Sequence, residues 1–296
     1  MTTQSPVYII GNTPLAYYLA GKLSLAEENV RLIAGYENTL FSSPITIRED
    51  SLIQKNTLKI PTETIMHTPA KMVIFAIHPS NLKSFLAYFS KSKAKECPII
   101  SFCHETPSLP LADALQSPII QAYFDGWINQ SSSKALSYLG CINGITLSMN
   151  EQHPYFETVQ KILSKTYIKL NFITNNEQNF WNHFLPYTTC SLFSLYHNKN
   201  TREITQNPKL RQSLITLLDE LISIVPQDIS IDKEQIISGI YSTPSSYTWS
   251  INKDAQKQLC GELNFILSTL QYNNYQPHLL PNTSKIIKEK LQQYFG

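Results

Sequence analysis

The sequence predicts an α/β domain followed by an all-α domain. Three observations carry this. Short apolar runs, VYII at Val7–Ile10, KMVIFAI at Lys71–Ile77 and PIISFC at Pro98–Cys103, alternate with turn and helical segments through the first half, the pattern of a largely parallel sheet buried on both faces. From Asn175 onward the apolar residues recur at helical spacing instead, in one segment after another. At 296 residues the chain is long enough for two ordinary domains, and the change of period places their boundary between Tyr167 and Glu177, giving domains 1–172 and 173–296.

The first element is a strand, turn and helix over Val7–Leu19. Gly11-Asn12-Thr13-Pro14 is turn chemistry, and Leu15, Leu19 and Leu23 follow at helical spacing. A parallel domain that opens this way has the layout of a Rossmann-like dinucleotide-binding unit, whose first helix offers N–H groups and its positive dipole end to a pyrophosphate. A G-x-G-x-x-G/A fingerprint would fall on Gly11, Thr13 and Ala16. Gly11 and Ala16 fit, but Thr13 stands where a glycine lets phosphates approach the backbone. Pro14 has no N–H to donate, though it suits the first turn of a helix. Gly11, Asn12, Thr13, Pro14, Leu15 and Ala16 are therefore the candidate cofactor residues of this turn. Spacing alone leaves open an ordinary strand-turn-helix at the edge of a sheet.

Asn29–Ala34 reads as the second strand. An acidic residue closing such a strand holds a ribose diol, and an arginine there takes a 2′-phosphate. Arg31 lies inside the strand and Glu37 beyond it, so the choice between NAD and NADP stays open. Residues 40–70 alternate like a small strand pair, and Leu82–Phe89 begins a helix. His78 and His104 each follow the carboxyl end of a core strand, where ligands of open α/β sheets gather. Ile119–Ile128 and Gly144–Met149 predict antiparallel strands, Tyr155–Ser164 a helix and Tyr167–Phe172 the last strand.

Asn175–Tyr196 predicts one long helix with Phe180, Trp181, Phe184, Leu185, Leu192 and Leu195 on its apolar side and a kink at Pro186. Asn207 as N-cap with Pro208 behind it opens a second, running to Val225. Further helices are expected near Asp232–Tyr241, Tyr247–Leu259, Gly261–Gln271 and Asn282–Phe295. A ligand cleft is expected between two such domains.

Composition excludes several classes. The formal net charge is +2 without a long basic run, which argues against a nucleic-acid surface. No stretch approaches the roughly 18 apolar residues of a membrane span. The opening MTTQSPVYII lacks the basic and apolar regions of a signal peptide, so the chain reads as cytoplasmic. The five cysteines are scattered without C-x-x-C spacing and the seven histidines form no H-x-x-x-H pair, so neither a disulfide framework nor a metal site is expected.

With these elements in hand, the chain resembles the ketopantoate reductase (2-dehydropantoate 2-reductase) family over nearly its whole length. F-W-N-H-F-L at Phe180–Leu185 is similar to the family's W-x-K-L helix. E-I-T-Q-N-P at Glu203–Pro208, followed by a helix containing Glu220, resembles its second helix. S-I-N-K-D at Ser250–Asp254 and G-E-L-N-F-I at Gly261–Ile266 match its S-x-x-x-D and E-I-D-x-I segments, and Pro277 and Pro281 sit near its proline-containing loop.

The resemblance implies reduction of 2-dehydropantoate to pantoate, a precursor of coenzyme A in pantothenate biosynthesis. The implied reductant is NADPH, with NADH left open. It implies a small keto acid as substrate partner, no nucleic acid or membrane, and leaves a homodimer open. The family lysine that polarises the ketone and supplies the proton is replaced by His183. Family asparagines one and two turns later correspond to Tyr187 and Ser191, and residues closing the fourth and fifth strands to His78 and His104. Ser250, for the substrate carboxylate, and Glu262, for the substrate hydroxyl and the cofactor ribose, are retained.

The residues themselves support part of this. His183, Tyr187 and Ser191 are spaced i, i+4 and i+8 and line one helix stripe, offset from the apolar one. A solvated helix face is the plainer alternative. A histidine is only partly charged at neutral pH, with an unperturbed pKa of about 6.5, yet it is a common general acid, so His183 can take the lysine's role. Two other readings stay open. The chain reduces a different small 2-keto acid, since Tyr187 fills space where the family has a small amide, or it is a non-catalytic nucleotide-binding relic.

Overall fold

The structure, a computed structural model, describes residues 5–33, 45–49, 52–61, 63, 66, 68–78, 97–103, 119–132, 135–252, 261–273, 276–278 and 280–295. The helix expected at Leu82–Phe89, the segment around Glu37, His104 and Asp254 lie outside them. The described residues divide into two compact units, one running to Asn176 and the other from Glu177.

The first unit is built on a nine-stranded sheet. Strands β1 (Val7–Ile10), β2 (Val30–Ile33), β5 (Met72–Phe75), β6 (Ile99–Ser101) and the start of β7 (Ile119–Ser132) pair in parallel, in the order β2-β1-β5-β6-β7. Alternate residues of β1 serve opposite cores. Val7 and Ile9 pack with Leu19 and Leu23 of helix α1 (Pro14–Leu25), and Tyr8 and Ile10 with Val73, Phe75 and Ile99. Burial of both faces is why these strands are short continuous apolar runs.

Beyond β6 the sheet turns mixed. β7 and β8 (Ala135–Ser148) form a long antiparallel hairpin. One half of β8 pairs in parallel with β3 (Ile45–Glu49), which carries β4 (Leu52–Leu58) on its far edge, and the other half with β9 (Leu170–Ile173). The hairpin strands run further than the predicted Ile119–Ile128 and Gly144–Met149. Register shifts at Asp125/Gly126 and Trp127/Ile128 break the two-residue alternation that would have extended the prediction. Gly144 is one such break: its φ is +85°, and a Cβ there would lie 2.2 Å from the Lys169 carbonyl oxygen, where β9 begins to pair.

Helix α2 (Phe156–Leu163) and a single 3₁₀ turn (Ser164–Thr166) precede β9. The last strand starts later than the predicted Tyr167, because Tyr167 is left-handed (φ 58°) and projects into solvent, 91% exposed. Close by in the unit, the buried Glu28 carboxylate takes bonds from Lys165 and, at 3.0 Å, from Lys71.

The second unit is helical: α3 (Asn176–His197), α4 (Thr201–Gln206), α5 (Pro208–Ile222), α6 (Lys233–Tyr241), α7 (Gly261–Tyr272) and α8 (Pro281–Phe295). Helix α3 runs unbroken through Pro186, and Phe180, Trp181, Phe184 and Leu185 are buried as its apolar side requires. Helix α4 has no counterpart in the sequence reading. It is nucleated by a capping box in which Asn200 accepts from the Glu203 N–H and Glu203 accepts from the Asn200 N–H, both at 2.9 Å. The helix expected from Tyr247 begins only at Ser250. The Tyr247 N–H closes a turn on the Pro244 carbonyl, and the Trp249 indole N–H donates to Thr201, so this stretch is committed elsewhere.

Candidate active site

In the first unit the candidate residues converge on the turn between β1 and α1. Gly11 has φ +143°, and a Cβ there would lie 2.0 Å from the carbonyl oxygen of Ala76, just past β5. Glycine is thus required by close packing of two backbone segments as well as by its torsion. Thr13 is the N-cap of α1: its hydroxyl accepts from the Ala16 N–H at 3.2 Å and donates to the Ala76 carbonyl at 2.7 Å. Thr13 therefore does what a glycine cannot, tying the helix start to the end of β5. Asn12, Thr13 and Leu15 are half-buried residues whose N–H groups have no partner among the described residues, and the first turn of α1 carries no acidic residue. Such a turn can receive an anion. His78 sits half-buried two residues past Ala76, while His104 lies outside the described residues. Arg31 is paired with Glu63 at 3.3 Å, which occupies the one arginine of β2.

In the second unit Tyr187, Ser250 and Glu262 come together. The Tyr187 hydroxyl donates to a Glu262 carboxylate oxygen and lies 3.2 Å from the Ser250 hydroxyl. Matched helical spacing produces the first contact. On α3, Phe184 and Tyr187 are three residues apart, and on α7 so are Glu262 and Phe265. Phe184 meets Phe265 edge-on at 6.5 Å as Tyr187 meets Glu262.

Ser250 is delivered separately. The turn that carries it is pinned to the same region by Trp249 Nε1 on Thr201 (3.1 Å) and by Asn252 Nδ2 on Ser194 (2.7 Å), whose hydroxyl in turn holds the Lys199 carbonyl. Glu262 is only 5% exposed, yet it stands in the first turn of α7, where the helix dipole favours a carboxylate.

Burial, and next the Glu262 charge, push the Tyr187 phenol well above the ordinary tyrosine value, while its bond with Ser250 acts the other way. Tyr247 is raised by the same two causes. Both phenols are therefore protonated at neutral pH, and that of Tyr187 is the donor to Glu262. Their rings flank one indole: Trp249 meets Tyr187 at 5.9 Å and Tyr247 at 5.1 Å, both edge-on.

His183 lies one turn before Tyr187 on the same stripe and is half-buried. Ser191, one turn after, is fully buried, and its hydroxyl has no partner among the described residues. A ligand reaches it only if neighbouring side chains move. Sequence reasoning misses two neighbours of these residues. The expected helix over Tyr247–Leu259 hides Tyr247, whose place three residues before Ser250 is the usable signal. Asn179, one turn before His183, is 5% exposed with an amide nitrogen that lacks a partner among the described residues.

No protein-family profile and no curated protein matches the sequence. Solved structures do match in three dimensions. A 2-dehydropantoate 2-reductase from Geobacter metallireducens superposes with a TM-score of 0.80 at 12% identity, covering 96% of this chain and 99% of the other. The fold is that of the ketopantoate reductases. A dimeric ketopantoate reductase from Staphylococcus aureus gives 0.74 at 14% identity over 98% and 99% of the two chains. D-mandelate dehydrogenase in a ternary structure with NADH and anilino(oxo)acetate shares the ketopantoate reductase fold too, with a TM-score of 0.81 at 11% identity over 98% and 99%.

Proposed function

We propose that this chain is a reductase of small 2-keto acids that uses a nicotinamide dinucleotide. The observation that carries the reading is the hydrogen-bonded cluster of half-buried Tyr187 and Ser250 with buried Glu262, on a fold it shares with ketopantoate reductases and with an NADH-bound D-mandelate dehydrogenase. The start of α1 suits the dinucleotide. Three N–H groups without a partner among the described residues, no acidic neighbour in the first turn, and a glycine held against the chain just past β5 fit a pyrophosphate, although Thr13 keeps the ligand further from the backbone than a glycine would. The bound nicotinamide supplies a hydride to the keto carbon.

The chain's own residues do the rest. His183 hydrogen-bonds the ketone oxygen and gives it a proton. Ser250 donates to the substrate carboxylate. Glu262, which takes the Tyr187 hydroxyl, accepts in addition from a substrate hydroxyl, as 2-dehydropantoate carries, and from the cofactor ribose. Tyr187 and Ser191 line the same stripe as His183. His78, just past β5, flanks the dinucleotide. In the finer form of this reading the reductant is NADPH, the reaction takes 2-dehydropantoate to pantoate, and the protein is a homodimer; the Staphylococcus aureus neighbour is described as dimeric.

Titration of the purified protein with NADPH and with NADH, followed by the quenching of its tryptophan fluorescence, tests the cofactor half of the proposal. Saturable binding of at least one is expected. Binding of neither overturns the reading and leaves a relic without catalysis.

A further inference from the structure

Resting on the keto-acid reductase reading, we propose that Asn179 is a second hydrogen-bond donor to the ketone oxygen, acting beside His183. The observation is a buried amide with nothing to donate to. Asn179 is 5% exposed, and its Nδ2 has no hydrogen-bond partner among the described residues.

A buried N–H2 group left unpaired costs stability, and native structures hold few of them. Amides nearby show the ordinary solution. Gln178, one residue earlier, donates to the Ser230 carbonyl at 2.6 Å and accepts from the Ser230 N–H at 3.2 Å, and Asn252 donates to Ser194 at 2.7 Å. Two hydroxyls of α3, on Thr188 and Ser191, also lack a partner among the described residues. Both are fully buried, and a helical hydroxyl can turn to the carbonyl four residues back, as Thr189 does to Leu185 at 2.7 Å.

The place of Asn179 says what it donates to. It stands four residues before His183 and eight before Tyr187, at the N-terminal end of their stripe. Side chains of a helix lean toward its N-terminus, which is the direction from His183 to Asn179. Residues four apart have Cβ atoms about 5–6 Å apart, so both can reach one oxygen at hydrogen-bond distance. An asparagine amide turns about a broad final torsion, so its N–H2 comes round without a change of backbone.

The chemistry asks for such a donor. As the keto carbon takes a hydride from the reduced nicotinamide, the carbonyl π pair moves to the oxygen, until the proton of His183 makes it a hydroxyl. A lysine ammonium would bring a full charge to that oxygen, whereas an imidazole brings one only while protonated. The amide N–H is present in either state of the imidazole and counts most where the negative charge is greatest.

Asn179→Leu and Asn179→Met test this. The first replaces the amide by an apolar group of similar size, and the second by a side chain that adapts to the space. Kinetics use the acid that the wild-type protein reduces best among trimethylpyruvate (3,3-dimethyl-2-oxobutanoate), 2-dehydropantoate and phenylglyoxylate. In at least one variant the urea midpoint is expected to equal or exceed that of wild type, because an unpaired buried amide has gone. In that variant kcat is expected to fall about 10²–10³-fold, the usual loss for one oxyanion-hole donor, with little change in KM. A residue that only holds the fold cannot combine lost turnover with undiminished stability.

Wild-type kcat in the stable variant overturns the inference while the reductase reading stands, and so does a loss confined to KM. Urea midpoints clearly below wild type in both variants overturn it as well, since the fold itself then uses the amide. Failure of the wild-type protein to reduce any of the three acids overturns the reductase reading and this inference with it.

Discussion

His183 is the residue on which the proposed chemistry turns, because it replaces a lysine of the family the sequence resembles. If it is the proton donor, His183→Ala lowers kcat by about 10²–10⁴-fold and changes cofactor affinity little, a split that steady-state kinetics and a cofactor titration separate. His183→Lys is expected to keep measurable turnover. If Ser250 holds the substrate carboxylate in the ground state, as proposed, Ser250→Ala raises KM more than it lowers kcat; the reverse split would place Ser250 outside the substrate contacts. None of these roles could be read from the residues singly. Ser250 and Glu262 were visible only as short motif matches, and Tyr187 only as a bulky side chain where the family has an amide. The bond that joins Tyr187 to Glu262 spans 75 residues of sequence and depends on the register of two packed helices, which no local pattern encodes.

At the scale of elements, what sequence made legible was periodicity and capping. β1, β5 and β6 were plain because burial on both faces leaves only apolar residues, and α5 because Asn207 and Pro208 announce its start. The long β7–β8 hairpin was half hidden by its bulges, and α4 by its length of six residues, too short for a periodic signal. Helix α8 shows a cap that sequence cannot reveal at all. Its first N–H groups are satisfied by Glu220 of α5, which accepts from Asn282 N, Thr283 N and Thr283 Oγ1, each at 3.0 Å. Glu220→Ala should therefore destabilise the second unit by about 1–2 kcal/mol, the usual cost of a lost N-cap, read as a lower urea midpoint. In the first unit Thr13→Ala removes the cap of α1 and its tie to Ala76, with an expected cost of about 1 kcal/mol. Gly11→Val does more than block a phosphate, since its Cβ would strike the backbone at Ala76; it should lower folding stability as well as dinucleotide binding.

At the scale of the whole molecule, the chain joins an α/β unit in which buried Glu28 is held by two partly exposed lysines to a helical unit that carries the Tyr187–Ser250–Glu262 cluster. Burial tends to raise the Glu28 carboxyl, but hydrogen bonds and charges from Lys165 and Lys71 outweigh it and hold its pKa below the ordinary glutamate value. A depressed carboxylate contributes stability above its unfolded pKa of about 4.3 and loses it as pH falls through the folded value. Glu28→Gln is thus expected to be less stable than wild type near neutrality, with the difference closing on acidification; a gap that stays constant with pH would contradict the assignment. The central claim, that the protein reduces a 2-keto acid at the Tyr187–Ser250–Glu262 cluster, is tested most directly by the disappearance of reduced-nicotinamide absorbance. NADPH or NADH is mixed with the protein and with trimethylpyruvate, 2-dehydropantoate or phenylglyoxylate. The prediction is keto-acid-dependent oxidation of at least one reductant, reduced in a folded Glu262→Ala variant by roughly tenfold to a hundredfold, as expected for a lost hydrogen bond to a charged group. No oxidation with either reductant and any of the three acids, or a Glu262→Ala variant as active as wild type, would contradict it.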